Sequence, residues 1–96
     1  MRTRIEVTQK HIDEGDRNRV GSNPIVLALR DALGQLWYVD YRDSYRLPTT
    51  RMEGKQFYKN SWKLGNFLLD FTHGNPVQPC TLILTDETLS MEGETE

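Results

Sequence analysis

The stretch from Ser22 to Gly34 constrains this chain more than any other. Asn23 is a good helix N-cap, because its side-chain oxygen can accept from the free N–H groups two or three residues on. Pro24 follows at the first helical position, where a missing N–H costs nothing. Gly34 comes after the last apolar residue and suits the left-handed turn that closes a helix. Ile25, Ala28, Leu29, Ala32 and Leu33 share one face, opposite Arg30 and Asp31. Val26 and Leu27 widen the stripe, which predicts a central core helix covered on more than one side.

A helix of this kind needs partners, and 96 residues supply them in a single domain. A chain of this length buries roughly 60–65% of the surface its unfolded form exposes, so the core is thin but sufficient without metals or disulfides. The single cysteine, Cys80, excludes an internal disulfide and fits a reducing cytoplasm. No run approaches the roughly 18–20 apolar residues of a membrane span. The opening Met-Arg-Thr-Arg-Ile-Glu lacks the apolar segment of a signal peptide. The expectation is an intracellular protein that meets no membrane.

Residues 2–8 alternate between polar and apolar positions, as a half-buried strand does. Thr8 can cap a short helix from Gln9 to Glu14. Beyond the core helix, Leu36 to Tyr41 is rich in aromatic and β-branched residues and reads as a strand. Tyr45–Leu47 reads as the start of a return strand that Pro48 breaks or pushes to an edge, with Pro48 to Gly54 an exposed loop. Lys55–Lys59 suits either a short strand or the approach to a helix. Ser61 can cap that helix, on which Leu64, Phe67, Leu68 and Phe71 fall at helical spacing; Gly65 within it suggests a close backbone approach. Cys80 to Thr85 alternates again as a last strand. These elements predict an α+β fold: a two-layer sandwich with two main helices on one face of a three- to four-stranded, mostly antiparallel sheet. The order β-α-β-β-α-β matches ferredoxin-like domains if Lys55–Lys59 is a strand. Residues 1–87 read as the single domain and 88–96 as an acidic, flexible tail.

Few residues suggest chemistry. His11 and His73 are the only histidines, and with one cysteine they fall short of a structural zinc set. Cys80 on the apolar side of a strand reads as a small hydrophobe rather than a nucleophile. The acids Asp13, Glu14 and Asp16 lack the ligand spacing of a calcium loop. The N-terminus of the core helix could hold an anion, although Asn23 satisfying those N–H groups is the simpler account. No catalytic residue, metal or cofactor is expected.

Charge is distributed unevenly. All twelve Lys and Arg lie in residues 1–63, against eight acids, while residues 64–96 hold six acids and no Lys or Arg. The steepest part, 41–63, interleaves six cations with Tyr41, Tyr45, Phe57, Tyr58 and Trp62. Three readings fit it: core aromatics with solvated charges, a protein-binding surface with Tyr, Trp and Arg at its centre, or a nucleic-acid or nucleotide module that neutralises phosphate and stacks bases. The candidate contacts are Tyr41, Arg42, Tyr45, Arg46, Arg51, Lys55 and Tyr58.

Three segments carry a resemblance. They are Val7-Thr8-Gln9-Lys10-His11-Ile12-Asp13-Glu14-Gly15, then Asn23-Pro24-Ile25-Val26-Leu27-Ala28-Leu29-Arg30, and finally Phe67 to Cys80 with its Gly74-Asn75-Pro76-Val77-Gln78-Pro79 core. Together they resemble small accessory proteins of tailed bacteriophages, many infecting actinobacteria. This chain departs from that pattern at Asn23, Thr72 and Cys80, where the group has Cys, Asp and Phe. The resemblance implies an α+β fold, a phage origin and the cytoplasm of an infected bacterium, with no established activity. That origin in turn implies a protein that binds and inhibits a host or antiviral-defence protein, CRISPR machinery among the possibilities, without catalysis. Residues 40–62, outside the matched segments, would be the variable contact surface.

Overall fold

The computed structural model describes residues 2–19, 21–34, 36–46 and 56–93. In chain order these form β1 (Thr3–Val7), α1 (Gln9–Glu14), α2 (Pro24–Leu33), β2 (Trp37–Val39), β3 (Asp43–Arg46), β4 (Gln56–Asn60), α3 (Trp62–Thr72), β5 (Cys80–Leu84) and β6 (Thr88–Met91). The local signals at the helix ends act as expected. Asn23 Oδ1 accepts from Val26 N at 2.9 Å, Pro24 opens α2, and Gly34 closes it at φ 72°. The Asn23 amide also donates to the Val39 carbonyl at 2.8 Å, so one side chain both starts α2 and ties it to β2. Thr8 caps α1 with a reciprocal bond: the Thr8 N–H donates to His11 Nδ1 at 3.0 Å. Ser61 Oγ accepts from Leu64 N and caps α3.

The six strands make one mixed sheet in the order β1-β5-β6-β4-β3-β2. Every neighbouring pair is antiparallel except β4 and β6, which run parallel. The fold is therefore α+β, but the sheet has more strands than the three or four expected, and its order is not ferredoxin-like. The largest correction concerns the acidic end. Residues 88–91, expected as part of a flexible tail, form β6, which sits between β5 and β4 in the middle of the sheet. Leu89 is fully buried there. A tight turn makes this possible: Thr85 Oγ1 accepts from the N–H groups of Glu87 and Thr88, and Thr85 N donates to Thr88 O at 2.9 Å. Acidic composition was a poor guide, because the acids project from the turn and strand end while Leu89 points inward.

The register sorts side chains to two faces. Directly paired residues share a face, so Ile5, Val7, Leu82, Leu84, Leu89, Tyr58, Ser44, Val39 and Trp37 line up on one side. They join Ile25, Val26, Leu29, Leu64 and Leu68 of the helices in a single apolar cluster. The opposite side carries Arg4, Ile83, Ser90, Thr88, Lys59, Phe57, Tyr45 and Tyr38. No described helix is long and apolar enough to cross a membrane.

Candidate functional site

The five described residues of the seven suggested by the basic, aromatic stretch do not form one surface. Tyr58 is buried, with its ring 5.4 Å from that of Trp37, so it belongs to the core and is withdrawn as a contact residue. Burial raises the Tyr58 phenol above its ordinary pKa, partly countered by the Arg46 guanidinium. Arg46 shares this inward side and its guanidinium donates to Gln56 Oε1. Tyr45 points the other way, between Tyr38 at 5.3 Å and Phe57 at 5.7 Å. Arg51 and Lys55 lie outside the described residues. Only Tyr41 and Arg42 remain together, on the turn between β2 and β3.

That turn is rigidly held. Asp40 Oδ1 accepts from the N–H groups of Arg42 and Asp43, both at 2.9 Å, and Asp40 N donates to Asp43 O at 3.1 Å. Asn60, at the end of β4, anchors it from beneath. Its amide donates to Asp40 O at 2.6 Å, its backbone N–H donates to Arg42 O at 3.0 Å, and its Oδ1 accepts from Ser44 Oγ at 2.6 Å. A buried amide with each polar group engaged fixes a backbone more firmly than exposed bonds do. α3 then rests directly on the turn. A Cβ at Gly65 would lie 2.5 Å from the Tyr41 carbonyl oxygen, so the glycine is what permits the approach suspected from the sequence.

The contact leaves a groove of about 570 Å³, whose apolar walls are Tyr41, Trp62 and Leu69. All three are large and exposed, at 49%, 77% and 40%. The Arg42 guanidinium lies 5.4 Å from the centre of the Tyr41 ring, a cation–π distance. Trp62 and Leu69 were absent from the candidate contacts. Their signal was present in the sequence: Trp62, Gly65, Asn66 and Leu69 recur at i, i+3, i+4 and i+7, a second stripe beside the buried one.

The other candidates for chemistry have structural roles. His11 is buried, and its Nε2 meets Asp31 Oδ2 at 2.6 Å, which links α1 to α2. Since Nδ1 accepts from Thr8 N, the proton on Nε2 faces the carboxylate. Burial, reinforced by Glu6, pushes the Cys80 thiol up to about 11, although Lys63 acts in the opposite sense. It therefore stays protonated near neutrality and is a weak nucleophile. Among the described residues no group of three or more His, Cys, Asp or Glu converges as a metal site.

Comparison with protein families finds no matching family model, and neither the curated proteins nor the solved structures contain a significant match.

Proposed function

We propose that this chain is a non-catalytic accessory protein of a tailed bacteriophage, acting in the cytoplasm of the infected bacterium by docking onto a host or antiviral-defence protein and inhibiting it. The docking surface is the groove between the β2–β3 turn and α3. One observation carries the reading: Tyr41, Trp62 and Leu69 are exposed together, beside Arg42, on backbone that Asn60 and Gly65 hold in place. Trp, Tyr and Arg are the residue types that concentrate binding energy at protein interfaces, where a central anchor costs about 2 kcal/mol or more when truncated. A rigid support adds to affinity, because little conformational freedom is lost on binding. The phage origin rests on the three segments described above.

Purification of the tagged protein from host lysates, beside a Trp62→Arg variant, tests this. The wild type should retain one partner at near-stoichiometric yield, and the variant should lose it with an unchanged melting temperature. A partner held equally by both proteins would remove the groove from the reading. No partner from several hosts would remove the reading itself.

A different observation favours single-stranded nucleic acid as a second reading. Tyr45 stands in a row with Tyr38 and Phe57 on the helix-free side of the sheet, and Phe57 is 62% exposed. Such a row offers bases a stacking surface. It predicts retardation of single strands in a gel that weakens steeply with salt and with Phe57→Ala; salt-independent retardation would exclude it.

A further inference from the structure

We propose a second binding site, for a small phosphate ester of nucleoside monophosphate type, on the side of the sheet away from the helices. The site originates in the topology. Parallel strands β4 and β6 share only the pairs Lys59↔Thr88 and Asn60↔Leu89 before β4 gives way to α3, while β6 runs on to Met91. Where the two strands part, an open cleft of about 840 Å³ extends toward β1. It runs along the uncovered face of β6, from Thr88, level with Lys59, to Gly93 past the strand's end. Its volume falls within the range of about 300–1,000 Å³ typical of small-molecule sites.

The lining specifies the ligand. Arg2 and Arg4 enter from the β1 side and Lys59 from β4. Glu92 is the acid among the lining residues, and it is held 2.8 Å from Arg4 Nη2. Among the described residues Arg2 and Lys59 have no acidic partner. Two cations without a close ion pair therefore face one concavity, with Asp43 opposite Lys59 in the β3–β4 register as the nearest counter-charge on that face, in a chain whose net charge is −2. That arrangement complements a phosphomonoester, which carries about −1.5 to −2 charges at neutral pH. The Ser90 hydroxyl lines the same cleft and makes a long bond, 3.5 Å, to the Ile83 carbonyl, leaving it available to a closer acceptor. Ile83 supplies an apolar floor on this otherwise polar face. Phe57, two residues from Lys59 on the same side of β4, presents an exposed ring on which a base can stack.

The site shares Lys59 and Asn60 with the lining of the docking groove, but Arg2, Arg4, Ile83 and Ser90 take no part in that surface. Calorimetric titration with AMP at low salt tests it, with inorganic phosphate, adenosine and a short single-stranded oligonucleotide as separate arms. The wild type should bind one AMP saturably, and more tightly than phosphate or adenosine alone. Arg2→Ala should weaken AMP by about tenfold, the effect of losing one charged hydrogen bond. Both Arg2 and Lys59 are exposed, so their substitution leaves the core intact, which a melting curve checks. Trp62→Arg should bind AMP as the wild type does, even where it abolishes partner capture. The assignment is overturned if AMP fails to saturate at millimolar concentration, or if Arg2→Ala with Lys59→Ala binds it unchanged. Equal affinities for AMP and phosphate would also overturn it, as would an oligonucleotide that binds more tightly than AMP and responds to the same substitutions.

Discussion

On the inward side of β2, β3 and β4, the rings of Trp37 and Tyr58 meet at 5.4 Å and are shut away from water. One residue along the same strands, Tyr38, Tyr45 and Phe57 form a row with centroids 5.3 and 5.7 Å apart on the side that no helix covers. The Tyr38 and Tyr45 rings stack at 21°, while Phe57 is tilted 40° from Tyr45, at centroid separations within the range aromatic pairs favour. Both sets use the same residue types. Trp37 is surrounded by Val39 and the helices, and its indole Nε1 has no hydrogen-bond partner among the described residues. Its contribution is to packing. In the outer row Tyr38 and Tyr45 are half-buried, Tyr38 against Gly21, and Phe57 keeps most of its ring exposed to a ligand.

Substitutions can break this contrast in decreasing order of effect. Trp37→Ala removes the largest fully buried side chain and should lower stability by about 3–5 kcal/mol in urea denaturation. A loss comparable to that of a surface substitution would mean that the inner aromatics do not hold the sheet to its helices. Gly65→Ala comes next. Alanine favours a helix by about 1 kcal/mol over glycine, yet its Cβ would meet the Tyr41 carbonyl at 2.5 Å, a backbone atom with little room to yield. The net result should be a loss of about 1–3 kcal/mol, with weaker partner capture because the turn is displaced from α3. A stabilised Gly65→Ala would show that turn and helix are not in contact. Phe57→Ala should change stability least, by roughly 0.5 kcal/mol or less, while reducing AMP binding several-fold. Large destabilisation there, with binding intact, would reverse the roles assigned to the two sides.

Much of the fold was legible because it is written locally. The caps at Thr8, Asn23 and Ser61 act within four residues of themselves, and the stripe on α3 repeats at a fixed spacing. The phase of β4 was not legible. Phe57 and Tyr58 are adjacent aromatics, so alternation alone could not tell which faces inward, and Tyr58 was assigned to the surface although it belongs to the core. β6 was hidden for a related reason: Leu89 and Met91 alternate with Thr88 and Ser90, but over four residues that pattern is too short to stand out beside acids. Strand order depends on pairings between residues as distant as Thr3 and Leu84, about which local pattern is silent. At the groove, Tyr41 and Arg42 were visible through composition. Trp62 and Leu69 required knowing that the β2–β3 turn meets the second stripe of α3 at Gly65 and leaves both of them exposed.

The position of β6 has a mechanical consequence. Among the described strands it is the single link between the ladder of β1 and β5 and the ladder of β4, β3 and β2. A keystone of four residues joins two arches, and neither arch is complete without it. Opening the junction should expose both ladders together, so amide protons on Ile5 and Tyr38, in the two outermost strands, should exchange at the same rate under conditions where whole-molecule opening governs exchange.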